Sequence, residues 1–118
     1  MITPKIKAFH SPDVDDLEAY RPPGAAFALL VQMLIGPDGS EGEESFDVQV
    51  VTPAWLEQRY ASDGLVAGDH RLIVLDYDWS RIETYLRKRV AACQGKDWDE
   101  VAGRISRFAQ WEFEDYVE

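Results

Sequence analysis

The sequence is poor in the two residue types that most often hold metals or form crosslinks, with one cysteine and two histidines. A single cysteine, Cys93, cannot form an internal disulfide, so we expect a reducing compartment, the cytoplasm. His10 and His70 stand 60 residues apart and do not form a pair at zinc-ligand spacing. The sequence therefore predicts no zinc site.

Basic residues are also scarce, with 12 Lys and Arg against 22 Asp and Glu, for a net charge of −10. Phosphate binding requires Lys and Arg to displace counterions, so neither nucleic acid nor an anionic membrane is an expected partner. A basic protein is the partner that this charge favours, although an acidic chain can simply be more soluble. Residues 1–50 carry nine acids and three bases, while residues 81–107 carry seven bases and four acids. A fold that brings the first half near the acidic C-terminal residues would create an acidic face.

No apolar run is long enough to span a bilayer. The longest, residues 25–35, is about half a membrane span and includes Gln32. The first ten residues contain two lysines with no apolar run behind them, so no signal peptide is predicted. With 118 residues and no repeat, the chain is expected to form one domain, residues 1–118.

Alternating and apolar segments predict the strands of a small antiparallel sheet. Residues 2–10 and 25–35 are the first two expected strands, and residues 45–52 form a hairpin with the second through the loop GPDGSEGEE. Residues 70–77, HRLIVLDY, are expected to add a third antiparallel strand to this core sheet. The glycines of the hairpin loop suit backbone with positive φ.

Helix signals follow the hairpin. Thr52 is an N-cap before Pro53, and two capping boxes, Ser80 with Glu83 and Asp97 with Glu100, open two further helices. Apolar residues recur at helical spacing after each box. These patterns predict an α+β fold, in which a small antiparallel sheet of about four strands has two or three helices packed on one face.

The residues that could carry catalysis match no known arrangement. Cys93 lies on the apolar stripe near the C-terminal end of its predicted helix, where a buried structural thiol is expected. The acidic loop that starts at Asp13 lacks the glycine and glutamate of a helical calcium loop, because its sixth and twelfth positions are Glu18 and Gly24. No catalytic residue, metal or cofactor is predicted.

Three segments resemble the immunity protein 8 family of bacterial proteins, which protect a toxin-producing cell from its own or a sibling's toxin. They are FHSPDVDDLEAY, IGPDGSEGEESFDVQVVTPAWL and WDEVAGRISRFAQWEFEDY, and the resemblance extends from Ile6 to Tyr116. Its most specific parts are EESFDV, TPAWL and WEFEDY. The resemblance implies a protein that is not an enzyme and that binds and neutralises a cognate toxin by occluding it, without a cofactor.

Two acidic segments are the candidate contact surfaces for that toxin, which is expected to be basic, for example a nuclease. The C-terminal segment is expected to dock Trp111 and Phe113 on the core and to present its acids outward. The hairpin loop is expected to project its glutamates toward the partner. The predicted partner-binding residues are Glu41, Glu43, Glu44, Asp47, Glu112, Glu114, Asp115 and Tyr116.

Two other classes of function remain open on the sequence alone. The many carboxylates are compatible with a small acidic hydrolytic enzyme that uses a carboxylate pair. An intracellular scaffold domain without any toxin partner is also compatible with the composition. A concave pocket with perturbed carboxylates would distinguish the enzyme from both binding proteins.

Overall fold

The computed structural model describes residues 1–113. Its elements follow the chain in the order β1 (Pro4–His10), β2 (Ala28–Pro37), β3 (Glu44–Val51), α1 (Pro53–Tyr60), β4 (Arg71–Ile73), α2 (Trp79–Ala91), α3 (Trp98–Ile105) and β5 (Gln110–Trp111). Within this part of the chain no helix has both the length and the apolarity needed to cross a membrane.

β2 and β3 form the antiparallel hairpin that the alternating pattern predicts. Their register pairs Leu29 with Val50, Val31 with Val48 and Met33 with Phe46, and these side chains are all buried on one face of the sheet. β1 pairs antiparallel with the other edge of β2, and the register shifts by one residue between Ile6 and Ala8. The shift leaves Lys7 as the extra residue of a β-bulge.

The strand predicted at residues 70–77 is shorter than expected and runs in the other direction. β4 contains three residues and pairs parallel with β3, so the prediction of a third antiparallel strand was wrong and the sheet is mixed. The cause is the connection: α1 and the loop after it return the chain along β3 before β4 begins, which is how parallel neighbours are joined. β4 stops where β3 ends, because Pro53 turns the chain of β3 into α1.

The three helices begin at side-chain caps. The Thr52 and Asp97 side chains accept hydrogen bonds from the backbone of Trp55 and Glu100, as predicted. The cap of α2 is Asp78 and not Ser80, since the Asp78 carboxylate accepts from the backbone of Arg81. Asp and Ser are both strong N-caps, and a carboxylate is also favoured by the helix dipole, so the helix begins two residues earlier than expected.

α2 and α3 pack on the same face of the sheet, and α1 does not. The main core joins the buried residues of β1, β2 and β3 with Ile82, Leu86 and Val90 of α2 and Val101, Ala102 and Ile105 of α3. α1 has no buried residue; the hydroxyl of its Tyr60 accepts a hydrogen bond from Arg71, which also bonds to Gln49. The predicted α+β fold is therefore confirmed, with two helices on the core face and the opposite face largely open.

Aromatic side chains close the end of the sheet that lies away from the hairpin loop. Tyr77 meets the rings of Tyr20 and Phe27 edge to face, at centroid distances of 5.1 and 5.9 Å. Its hydroxyl donates a hydrogen bond to the backbone oxygen of Leu17. Burial raises the pKa of Tyr77 from 10.0 to about 12, with smaller contributions from the nearby Tyr20 and Asp16. This contact fixes the loop after β1 against the segment before α2.

The first prediction concerns Gly36, whose missing side chain leaves room for the hairpin loop. A Cβ at this position would lie 2.0 Å from the backbone oxygen of Gly42, so Gly36→Ala requires the loop backbone to move. We expect a loss of about 1–3 kcal/mol in the free energy of unfolding, measured by urea denaturation. Gly103→Ala is the control, because nothing lies within 4 Å of that added Cβ on α3. It should gain roughly 0.5–1 kcal/mol, and equal effects of both changes would contradict the close-approach argument.

The second prediction follows from the raised pKa of Tyr77. The folded state holds this proton more tightly than the unfolded state, so the stabilisation is complete below pH 10.0 and disappears as the pH rises to about 12. Tyr77→Phe should therefore flatten the decline of the urea midpoint over that pH range. The same decline in the wild type and in Tyr77→Phe would show that another group causes it.

Candidate functional site: the hairpin loop and the open face of the sheet

The hairpin loop between β2 and β3 is held against the sheet by Lys7. The ammonium of Lys7 donates to the backbone oxygen of Gly42 at 2.9 Å and also to that of Ser40. Lys7 is available because the β-bulge directs it toward this loop, a feature that no sequence pattern indicated. The carboxylates of Glu41 and Glu43 remain exposed. The loop thus presents three exposed acids, Asp38, Glu41 and Glu43, and Lys7 holds its backbone at Ser40 and Gly42.

Glu44 differs from the other two glutamates because it lies on the core face of the sheet, paired in register with Ile35. One oxygen, Oε1, accepts hydrogen bonds from the indole N–H groups of both Trp98 and Trp111, the latter at 3.3 Å. Its side chain is half-buried. Glu44 therefore connects β3, α3 and β5, and much of its hydrogen-bonding capacity is used within the protein.

Trp111 docks the C-terminal segment on the core, as predicted. Its ring stacks on that of the fully buried Phe46, with the two planes 7° apart and the centroids separated by 6.1 Å. Phe113 is 41% exposed and meets Trp111 edge to face at 5.7 Å, so it adds to the edge of this cluster more than to the core. Glu114, Asp115 and Tyr116 lie outside the described residues.

Glu112 and Asp47 lie on the open face of the sheet, the face opposite α2 and α3. The backbone N–H of Glu112 donates to the oxygen of Ser45 at 3.0 Å, and its Oε1 accepts from the Ser45 N–H at 2.7 Å. Asp47 Oδ1 accepts from the Ser45 hydroxyl at 3.1 Å. Ser45 therefore brings the two carboxylates together, and one oxygen of Glu112 is already occupied.

The structure thus divides the predicted site residues that it describes into two groups. Glu41 and Glu43 lie exposed in the hairpin loop, Asp47 and Glu112 lie on the open face of the sheet, and none of the four makes an ion pair with another residue of 1–113. A surface depression of about 320 Å³ lies beside the loop, lined by Glu41, Glu43, Glu44 and Trp98. Glu44 belongs to the core side. Its alternation with Phe46, Val48 and Val50 was the sequence signal that placed it there.

Cys93 and His70, which were considered for nucleophilic or metal chemistry, make hydrogen bonds to the backbone of the protein. Cys93 is buried, its thiol donates weakly to the oxygen of Arg89 at 3.3 Å, and burial raises its pKa, which keeps the thiol protonated. His70 Nε2 donates to the oxygen of Ser106 at 3.0 Å. Among residues 1–113, no three or more His, Cys, Asp or Glu side chains are grouped so as to hold a metal ion.

The acidic loop after β1 also uses part of its charge for structure. Asp13 Oδ2 accepts from the backbone N–H of Leu30 at 2.7 Å, and Asp16 Oδ1 accepts from those of Glu18 and Ala19. Asp13 thereby supplies an acceptor to β2 beyond the last residue of β1. Two of the four acids in this loop therefore have a structural role, because their carboxylates accept hydrogen bonds from the backbone.

The fold defines a small α+β protein whose exposed carboxylates include those of the hairpin loop and of the open sheet face. The family model described as Immunity protein 8 matches residues 4–116, nearly the whole chain. The chain belongs to the Immunity protein 8 family. No curated protein and no solved structure matches it significantly.

The third prediction tests the role of Glu44. Glu44→Ala removes the acceptor shared by two indole N–H groups and leaves them without this partner, so we expect a loss of about 1–3 kcal/mol in the free energy of unfolding. Tryptophan emission should shift to longer wavelength as Trp111 loosens. Glu43→Ala is the matched control, since this exposed neighbour makes no such hydrogen bond. Equal stability of the two variants would contradict the structural role.

Proposed function

We propose that the chain is an immunity protein that binds a cognate bacterial toxin domain and neutralises it by occluding its surface. The observation that carries this proposal is membership of the Immunity protein 8 family over residues 4–116. Neutralisation by occlusion requires binding and no turnover. The protein therefore acts as a stoichiometric inhibitor, without a cofactor, in the cytoplasm that its single free cysteine favours.

The partner is a toxin with a basic surface, for example a nuclease whose cleft must hold phosphate. The support is the net charge of −10 together with carboxylates that the fold leaves unpaired at the hairpin end. Opposite charge on two proteins accelerates their encounter by about 10–10³-fold at low salt. Rapid capture matters because a free toxin damages the cell until it is bound.

Glu41, Glu43, Asp47 and Glu112 form the proposed acidic contact surface, and Glu114, Asp115 and Tyr116 extend it along the chain. Glu44 contributes by holding Trp111 in place. A side chain that the fold already fixes loses less conformational entropy on binding than a side chain that is mobile in the free protein. For Asp47 and Glu112, whose carboxylates are bonded to Ser45, this favours contacts that are preformed over contacts that order on binding.

The fourth prediction tests neutralisation and the acidic surface together. The toxin domain encoded beside this gene should arrest growth when expressed alone, and co-expression of this chain should restore it. For the purified pair, Glu41→Gln with Glu43→Gln should lower the association rate constant at low salt by about threefold to tenfold and reduce its salt dependence. Glu44 is left unchanged because its loss would disturb the fold.

Glu57→Gln with Asp63→Asn is the control, since it removes the same charge from exposed positions at the other end of β3. It should change the rate much less. No rescue of growth would overturn the proposed function, whereas rescue with equal rate changes in both double variants would overturn only the hairpin surface.

A further inference from the structure

A second surface lies at the end of the sheet away from the hairpin loop, where the chain passes from β4 to α2. The backbone of Val74 still bonds to Val51, but the next residue has left the sheet. Leu75 is 87% exposed, and Ile73 on β4 is 52% exposed. The sequence pattern predicted a strand here, in which alternate residues of this segment would be covered.

Val74 and Leu75 border an apolar groove. Leu72, Val74, Leu75, Ile82 and Tyr85 line a depression of about 260 Å³, together with Asp76, Asp78 and Arg81. Tyr85 is 44% exposed on the flank of α2. Large apolar side chains grouped at the surface, unlike single exposed ones, are typical of protein-binding sites.

The groove continues into an acidic cleft through Asp76 and Asp78, which border both. This cleft has a volume of about 440 Å³ and is lined by four carboxylates and one guanidinium, with Tyr77 and Trp79 between them; the charged residues are Glu18, Asp76, Asp78, Glu83 and Arg21. Apolar area and negative charge thus adjoin at these two residues, and we call the groove and the cleft together the channel.

Two of the four carboxylates have an ion-pair partner within the protein, and two do not. Asp78 pairs with Arg81 at 3.4 Å and Glu83 with Arg87 at 3.0 Å, and all four side chains are substantially exposed, so these pairs contribute little. Asp76 and Glu18 form no ion pair with any residue of 1–113. The Arg21 guanidinium is bonded to the backbone oxygens of Glu18 and Tyr20.

The walls of the channel are held in place before any partner arrives. The hydroxyl of Tyr77 bonds to Leu17 in the loop that carries Glu18, and its ring packs on Tyr20. On the other side, Asp78 caps α2, and the Trp79 ring meets Phe9 of β1 edge to face at 5.0 Å. A fixed wall reduces the entropy lost on binding.

We propose that this channel is a docking surface for the cognate toxin, where a basic segment of the toxin inserts an apolar side chain beside Leu75 and places a Lys or Arg against Asp76 and Glu18. The proposal rests on the proposed function, because it names the surface through which the toxin is held. A second copy of this chain is a poor occupant, since each copy has a net charge of −10 and brings more carboxylates than bases.

The test uses the full-length protein, the toxin domain encoded beside its gene, and titration calorimetry at two salt concentrations. Leu75→Ser should weaken toxin binding by roughly tenfold at both salt concentrations, because it removes an apolar anchor. Asp76→Asn should weaken binding mainly at low salt and reduce the salt dependence of the dissociation constant. Leu65→Ser is the control, since Leu65 is 78% exposed in the loop after α1. Its affinity should equal that of the wild type.

The outcomes separate the two proposals. If the wild type does not bind the toxin domain, the proposed function fails and the channel proposal fails with it. If the wild type binds and Leu75→Ser binds equally well, only the channel proposal is overturned. A change in the self-association of free Leu75→Ser, seen by light scattering without a change in toxin affinity, would also overturn it by assigning the groove to a second copy.

Discussion

The shared hydrogen bonds of Glu44 determine how the C-terminal segment meets the rest of the fold. A half-buried carboxylate is unfavourable unless donors replace its water, and here the donors are the indoles of Trp98 and Trp111. One of these indoles lies on α3 and the other on β5, so a single side chain of β3 aligns both. The stacking of Trp111 on Phe46 then gives the segment its apolar anchor. The antiparallel pairing of β5 with β3 then places Glu112 opposite Ser45.

At each end of the sheet, some carboxylates accept hydrogen bonds within the protein and others remain free to contact a partner. At the hairpin end, Glu44 and one oxygen of Glu112 are bonded internally, while Glu41 and Glu43 are not. At the other end, Asp13 and Asp16 accept backbone hydrogen bonds, while Asp76 and Glu18 do not. Net charge alone therefore overstates what is available to a partner. The carboxylates available to a partner are those that are exposed and that accept no hydrogen bond within the protein.

The features that could be predicted from the sequence depend on local patterns. The alternation in β2 and β3, the Thr52 and Asp97 caps and the apolar stripes of α2 and α3 each involve residues close in the chain, and each was found. The direction of β4 depends on the path of the crossover through α1, which a strand pattern does not contain. The exposure of Leu75 was not predicted for the same reason, because the predicted strand extended past this residue and the observed strand ends before it.

In the candidate site, too, features that depend on local patterns could be predicted and long-range contacts could not. Docking of Trp111 was predictable from its aromatic type and its position in an alternating segment. The inward position of Glu44 was also encoded, because it has the same alternation as Phe46, but its charge made the surface interpretation more natural. The contact of Lys7 with the hairpin loop could not be predicted, since it requires a bulge in β1 and joins residues 35 positions apart.

The distance between the two surfaces limits how one toxin can use both. The ten residues of β2 span roughly 33 Å at the rise of an extended strand. Charges screened over about 8–10 Å do not act across that length, so the hairpin carboxylates cannot guide a partner into the distal channel. A standard interface buries about 800 Å² on each partner, which is a patch roughly 30 Å across. A toxin that contacts both ends must therefore lie along the full length of β2, and a toxin too small to do so can contact only one of them.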